Sequence, residues 1–288
     1  MSELPARRQN VQWHQLLRRA AVLGGISVLG VYAAIAAAAV ITNWYFNDAQ
    51  GYWEAGERLR NGEALYPSFA SQDAPEVYRY APWFAWIWFV LTFLPRDLVM
   101  LGWAALLVGA CAYLLYLLPR NATGVMLALL FAPMLFRVVS QGNAHPLMVA
   151  GLAFGMARSS GPIWIGLAAS LKLVPLLFAA VYVANREYRR ALLAAAVTVI
   201  LWLPAVGYSL ASYPTAVGGE SFPIEWFTFV IAAGALAAVF LVPARFRALA
   251  ASVAVTFASP RWIPYNATYV MAAQGRTPEP SSKTWLSG

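Results

Sequence analysis

Long apolar blocks separated by short polar breaks set the pattern of this chain from residue 20 onward. The first block, residues 20–42, carries no charge and is long enough to cross a bilayer as a helix, which takes about 20 residues. It ends in Asn43, Trp44, Tyr45 and Phe46, an aromatic edge suited to a membrane–water boundary. Further blocks follow at 82–94, 98–118, 122–139, 146–157, 161–171, 173–184, 191–210, 226–242 and 246–258, with a weaker one at 263–273. Several are too short to span on their own. Short helices at membrane depth are tolerated only where protein buries them or where they line a water-filled cavity. The pattern therefore predicts an all-α, polytopic membrane helix bundle with short or re-entrant helices around a cavity open to one side.

The domain reading follows from the same blocks. Residues 1–19 form a cytoplasmic N-terminus, and residues 20–273 form a single membrane domain. Residues 45–81 make an outer loop with an amphipathic helix. The Pro/Ser/Thr-rich tail, 274–288, reads as disordered.

Composition agrees with the class. Hydrophobic residues make up 61% and charged residues 11%, against about 25% charged in a soluble domain. The lone Cys111 sits inside an apolar block, which excludes a disulfide framework and a Cys-based metal site. The net charge of +8 comes from arginines scattered at block ends, so it reads as positive-inside bias and not as a nucleic-acid surface. Placing Arg120, Arg158, Arg186, Arg189, Arg190, Arg245 and Arg247 inside puts residues 140–145, Lys172, 212–223 and 259–265 outside, on the side of the 45–81 loop. That scheme requires residues 82–118 to cross once, although Arg96 and Asp97 divide them. Either 82–94 is re-entrant or interfacial, or one arginine lies on the other side.

Two charged residues stand out. Asp48 follows the first block directly, at the mouth of the membrane, where a carboxylate can be solvated and still near a lipid. Such a group can act as a general base on a hydroxyl, or it can cap a helix starting near Ala49. Lys172 interrupts residues 161–184, which carry no other charge. A lysine at that depth costs at least about 2.5 kcal/mol on insertion scales and so faces a cavity or a partner. Pro175 removes a backbone donor nearby, so the stretch reads as two half-helices meeting at Lys172. The amine can hold a phosphate as a point charge, snorkel to an interface, or pair with a carboxylate. Gln141, Asn143 and His145 cluster where a short helix begins. Amides suit sugar hydroxyls, though capping explains Asn143 equally, and a lone histidine is more often structural.

Five segments in order resemble the bacterial polyprenyl-phosphate-mannose-dependent mannosyltransferases, glycosyltransferase family 87 of the GT-C superfamily. These are Asp48 through Gly62 to Leu65-Tyr66, Tyr80-Ala81-Pro82 with the run to Leu94-Pro95, Gln141-Gly142-Asn143, Lys172 through Pro175, and Ser259-Pro260-Arg261-Trp262. The chain is shorter than the family usually is, and Pro264, Tyr265 and Asn266 stand where the family often has a histidine.

The resemblance implies a GT-C-like bundle and a sugar, mannose, moved from a polyprenyl monophosphate. The acceptor would be a hydroxyl of a glycolipid or glycan on the outer face of a bacterial plasma membrane. It implies Asp48 as the base, inversion at the anomeric carbon, and Lys172, Arg79 and Arg261 around the donor phosphate. Tyr52, Tyr80, Gln141, Asn143 and His145 would bind substrate. A monophosphate leaving group calls for fixed cations, not a metal or another cofactor. Membrane lipid is an expected partner and nucleic acid is not. Two other classes remain compatible with the blocks: a transporter or flippase of lipid-linked substrates, and a non-catalytic membrane subunit.

Overall fold

A computed structural model describes residues 4–42, 45–67, 77–156, 158–210, 213, 226–259 and 263–274. Arg261 and the expected disordered tail beyond Gln274 lie outside the described residues; Gln274 itself ends a 3-10 run. The described residues are helices and turns with no strand. The first apolar block belongs to α1 (Leu4–Thr42), which extends back through the basic N-terminal stretch.

Then come α2 (Asn47–Arg60), α3 (Pro82–Leu91), α4 (Arg96–Tyr116) and α5 (Ala122–Ser140). They are followed by α6 (His145–Met156), α7 (Gly161–Leu171) and α8 (Ala179–Ala184), the last entered through a 3-10 turn at Val174–Phe178. α9 (Tyr188–Trp202) continues as a 3-10 turn, Leu203–Gly207, and α10 (Trp226–Leu241) and α11 (Ala244–Ala258) form a hairpin. The weak block at 263–273 is a 3-10 run, Pro264–Gln274, packed on α5, α6 and α11.

Local chemistry sets these boundaries. Pro82 and Pro162 start α3 and α7 at positions where the missing N–H costs nothing. Asn121 caps α5 by accepting the Gly124 N–H at 3.1 Å. Among the described residues, Arg96–Tyr116, Ala122–Ser140 and Tyr188–Gly207 are long and apolar enough to cross a membrane. The short α6 and α7 survive because protein covers them: most of α6 is buried, and Gly151 and Gly155 let Trp164 of α7 lie against its backbone. Gly166 likewise brings α7 against Val197 of α9, with 2.5 Å left for a Cβ. Buried apolar side chains from α4, α5, α6, α7 and α11 form the main core.

The position of α3 removes the parity difficulty raised by residues 82–118. α3 does not run through the main core. It lies beside α2 with both chains pointing the same way: Tyr52 meets Phe84, Gly56 meets the Trp88 backbone, and Arg60 donates to the Thr92 carbonyl at 3.0 Å. A Cβ at Gly56 would come within 2.7 Å of Trp88. The α2–α3 pair thus stays at one end of the bundle with its own aromatic core, while α4 leaves that core at Val99 and enters the main one at Leu107. From α4 onward the helices alternate direction. The α5–α6 turn, Lys172 and Tyr208 fall at the α2–α3 end, and Arg158, Arg186, Arg190 and Arg247 at the other.

Candidate functional site

The Gln141–Gly142–Asn143 turn is the base on which the site is built. α5 ends at Ser140, and Gly142 takes a φ of 70° to reverse the chain. Only glycine fits here: the left-handed backbone disfavours a side chain, and a Cβ would lie 2.6 Å from the Ala49 Cβ. That closeness docks the start of α2 on the turn. Phe46 N–H donates to the Ser140 carbonyl at 2.9 Å, and Asp48 N–H to the Gln141 carbonyl at 2.8 Å. The free donors of the first turn of α2 are thus satisfied by backbone carbonyls from another helix end. Trp103 of α4 locks the turn from the far side through Nε1–H to the Gly142 carbonyl at 2.8 Å.

Asp48 is therefore not the cap of its helix. Phe46 occupies the N-cap position, at φ 52°, and no side chain closes that end. The Asp48 carboxylate turns to Asn143, whose Nδ2 donates to Oδ2 at 2.7 Å. Asn143 also caps α6, since its Oδ1 accepts the His145 N–H at 2.8 Å. One buried amide thus ties the carboxylate to the first turn of a buried helix. Burial raises the carboxyl above the usual aspartate range, and the Asn143 bond, Lys172 and Arg79 pull it back.

Beside the carboxylate, Tyr52 accepts the Ala144 N–H at 3.2 Å and donates to the Tyr80 hydroxyl at 2.9 Å. Tyr66 donates to the Tyr80 carbonyl and Tyr78 to the Ala81 carbonyl, both at 2.8 Å. The Tyr80 phenol is pushed up to about 12 by burial, a rise that the charge of Lys172 moderates. It stays a neutral hydroxyl, able to donate.

Lys172 is where α7 stops. Its backbone is extended, at φ −139° and ψ 121°, before the Pro175 turn. Two residues earlier, Ser170 Oγ accepts Trp83 Nε1–H at 3.1 Å, which fastens α3 to this helix end. The ammonium sits 5.4 Å from the centroid of the Tyr265 ring and within electrostatic reach of Asp48. Arg79 also acts on Asp48, and its carbonyl accepts from the Tyr213 hydroxyl at 3.0 Å.

Asp48, Asn143, Tyr52, Tyr80, Lys172 and Arg79 thus converge. Gln141 contributes its carbonyl, and its half-buried side chain makes no hydrogen bond among the described residues. His145 is fully buried, with Nε2 2.8 Å from Thr268 Oγ1 and its ring against Tyr265 and Tyr269. Glu54 and Arg58, four residues apart on α2, pair at 3.6 Å and are largely buried. Among the described residues no group of His, Cys, Asp or Glu could hold a metal ion.

The sequence reading passed over Tyr265, Thr268, Tyr269, Ser170 and Trp103. The first three share one helical face by their i, i+3, i+4 spacing, which was the available signal.

The fold and site define a membrane helix bundle whose carboxylate, amide and cations gather at one end. The model of glycosyltransferase family 87 matches residues 78–228, and the chain belongs to that family. The matched stretch includes Arg79, Tyr80, Gln141, Asn143, His145 and Lys172, and begins after Asp48. No curated protein and no solved structure matches the chain. The protein is a membrane glycosyltransferase.

Proposed function

We propose that the chain moves a sugar, mannose by its family resemblance, from a polyprenyl monophosphate to a hydroxyl of a glycolipid or glycan on the outer face of a bacterial plasma membrane. Asp48 takes the acceptor proton as the acceptor oxygen bonds to the anomeric carbon. The bond from that carbon to the phosphate oxygen breaks, the polyprenyl phosphate leaves with the electron pair, and configuration inverts. Lys172 and Arg79 stabilise the charge that builds on the phosphate. Arg261 is a third cation for the same task. A monophosphate held this way needs no metal. Tyr80 and Gln141 offer hydrogen bonds to the sugar, while Tyr52 and Asn143 hold the site, since their polar atoms are engaged within the protein, and His145 supports it from beneath, fully buried with Nε2 on Thr268.

The observation that carries this reading is the Asn143–Asp48 bond, which aims a carboxylate with a raised pKa into a space shared with Lys172 and Arg79. Asp48 does not cap its own helix, so the bond from Asn143, 95 positions away, is what orients the carboxylate.

The test uses membranes containing the chain, a lipid-extract acceptor mixture, and labelled mannose on either a polyprenyl phosphate or a nucleotide. Transfer from the polyprenyl donor alone, undiminished by a chelator, is expected. Asp48→Asn should abolish it at equal expression. Transfer from the nucleotide donor only, or an active Asp48→Asn variant, would defeat the proposal.

A further inference from the structure

Among the described residues Lys172 forms no ion pair. The groups that face it are Tyr265, Tyr80, Tyr269, the Asp48 carboxylate and the His145 ring. The Tyr265 ring is the one its ammonium sits over, at 5.4 Å. An aromatic ring restrains a cation without neutralising it, whereas a bound carboxylate would cancel the charge that a phosphate needs. A flexible four-carbon stem at a helix end otherwise leaves the ammonium free to sample many positions.

Tyr265 is itself held. Its ring packs on His145 at 4.8 Å between centroids. The Thr268 hydroxyl donates to the Tyr265 carbonyl at 2.7 Å, so its single proton is committed. The same Thr268 oxygen lies 2.8 Å from His145 Nε2, which ties the histidine ring to this turn. The His145 backbone N–H meets Asn143, and Asn143 meets Asp48. One chain of contacts therefore runs from the Asp48 carboxylate through Asn143, His145 and Tyr265 to the Lys172 ammonium.

We infer that Tyr265 is a positioning residue for Lys172, and that His145 fixes the Tyr265 ring, so that Pro264–Gln274 sets the separation between the phosphate-binding cation and the base. This rests on the proposed role of Lys172 at the donor phosphate. The ring, not the hydroxyl, does the positioning.

The experiment is a double-mutant cycle on sugar transfer with the full chain in membranes, using labelled polyprenyl-phosphate mannose. Tyr265→Phe should keep kcat within about threefold and Tyr265→Leu should lower it about tenfold, in line with a partly desolvated cation–π contact. In a Lys172→Met background, Tyr265→Leu should change nothing further, because the group it positions is gone. The same fractional loss in both backgrounds would overturn the inference and leave the reading of Lys172 intact. A fully active Lys172→Met variant would overturn both.

Fluorinated phenylalanines at position 265 give a second measurement should the leucine variant not accumulate. They withdraw ring electron density without changing shape. Stepwise loss of activity with fluorine count supports the inference, and activity independent of fluorination contradicts it.

Discussion

The two ends of the bundle use charge in opposite ways. At the α2–α3 end, Asp48, Glu54, Glu57 and Glu63 mix with Arg58, Arg60, Arg79 and Lys172 on a bed of tyrosine and tryptophan. At the other end stand Arg120, Arg158, Arg186, Arg189, Arg190, Arg245 and Arg247, with Glu187 as their acidic companion. Three of those arginines, Arg158, Arg190 and Arg247, hold backbone carbonyls or local partners. Arg190 binds Glu187 at 2.6 Å and the Arg158 carbonyl at 2.7 Å, and Arg247 binds the Ala184 carbonyl at 3.0 Å. Such contacts finish the last turns of helices and join loops. Lys172, by contrast, ends a helix on the side of Asp48, sits over the Tyr265 ring and forms no ion pair among the described residues. On the proposed role of Lys172, the difference separates cations that complete the fold from one available to an anion.

Substitutions sharpen this contrast. The largest effect falls on Lys172→Met, which should lower transfer by about 10² to 10³ with little change in folded yield, the range for losing one preorganised electrostatic stabiliser. Its residual activity should also lose its acid limb at higher pH than wild type. With Asp48 as the proposed base, activity falls as pH drops through the carboxyl's raised pKa, and Lys172 is one of the groups holding that pKa down. A pH–rate profile of the two proteins checks this, and an unmoved acid limb would break the coupling between Lys172 and Asp48.

Asn143→Ala comes next. It removes a hydrogen bond to a charged group, worth about 1.5 to 3 kcal/mol, and a helix cap worth about 1 kcal/mol. Both thermal stability in detergent and transfer should fall, the latter at least about tenfold since the base is no longer aimed. Gly142→Ala should destabilise by about 1 to 2 kcal/mol from its left-handed backbone alone, and by more through the contact with Ala49, visible as a lower melting temperature. Arg247→Ala, at the other end, should cost about 1 kcal/mol of stability and leave kcat and the pH profile unchanged. A kinetic effect there would erase the distinction between the two ends.

Much of the bundle was legible before the structure. The blocks at 122–139, 161–171 and 226–242 end within a residue or two of α5, α7 and α10, because apolar length and prolines mark helix limits locally. The side on which α3 stays was not legible, since its hydropathy matches that of a crossing helix. Only its pairing with α2, set by Gly56 against the Trp88 backbone, decides it. Asp48 and Lys172 announced themselves as charges in apolar surroundings. The bond from Asn143 to Asp48 spans 95 positions, and no spacing rule reaches that far. Tyr265 was hidden for a related reason: its role depends on where Lys172 points, which a backbone turn determines.

Asp48 is where stability and chemistry pull apart. Its folded pKa is raised above the unfolded value, so its contribution to stability is fully present below the unfolded pKa and lost as pH rises through the folded one. Once ionised, the carboxylate strains the fold that holds it. Asparagine removes the charge while its side-chain oxygen can still accept from Asn143.

The decisive measurement pairs thermal unfolding with sugar transfer for wild type and Asp48→Asn at pH 7.5. The account predicts a variant at least as stable as wild type that transfers no sugar. A destabilised variant with activity to match its folded fraction would show Asp48 to be a structural residue and would contradict the account.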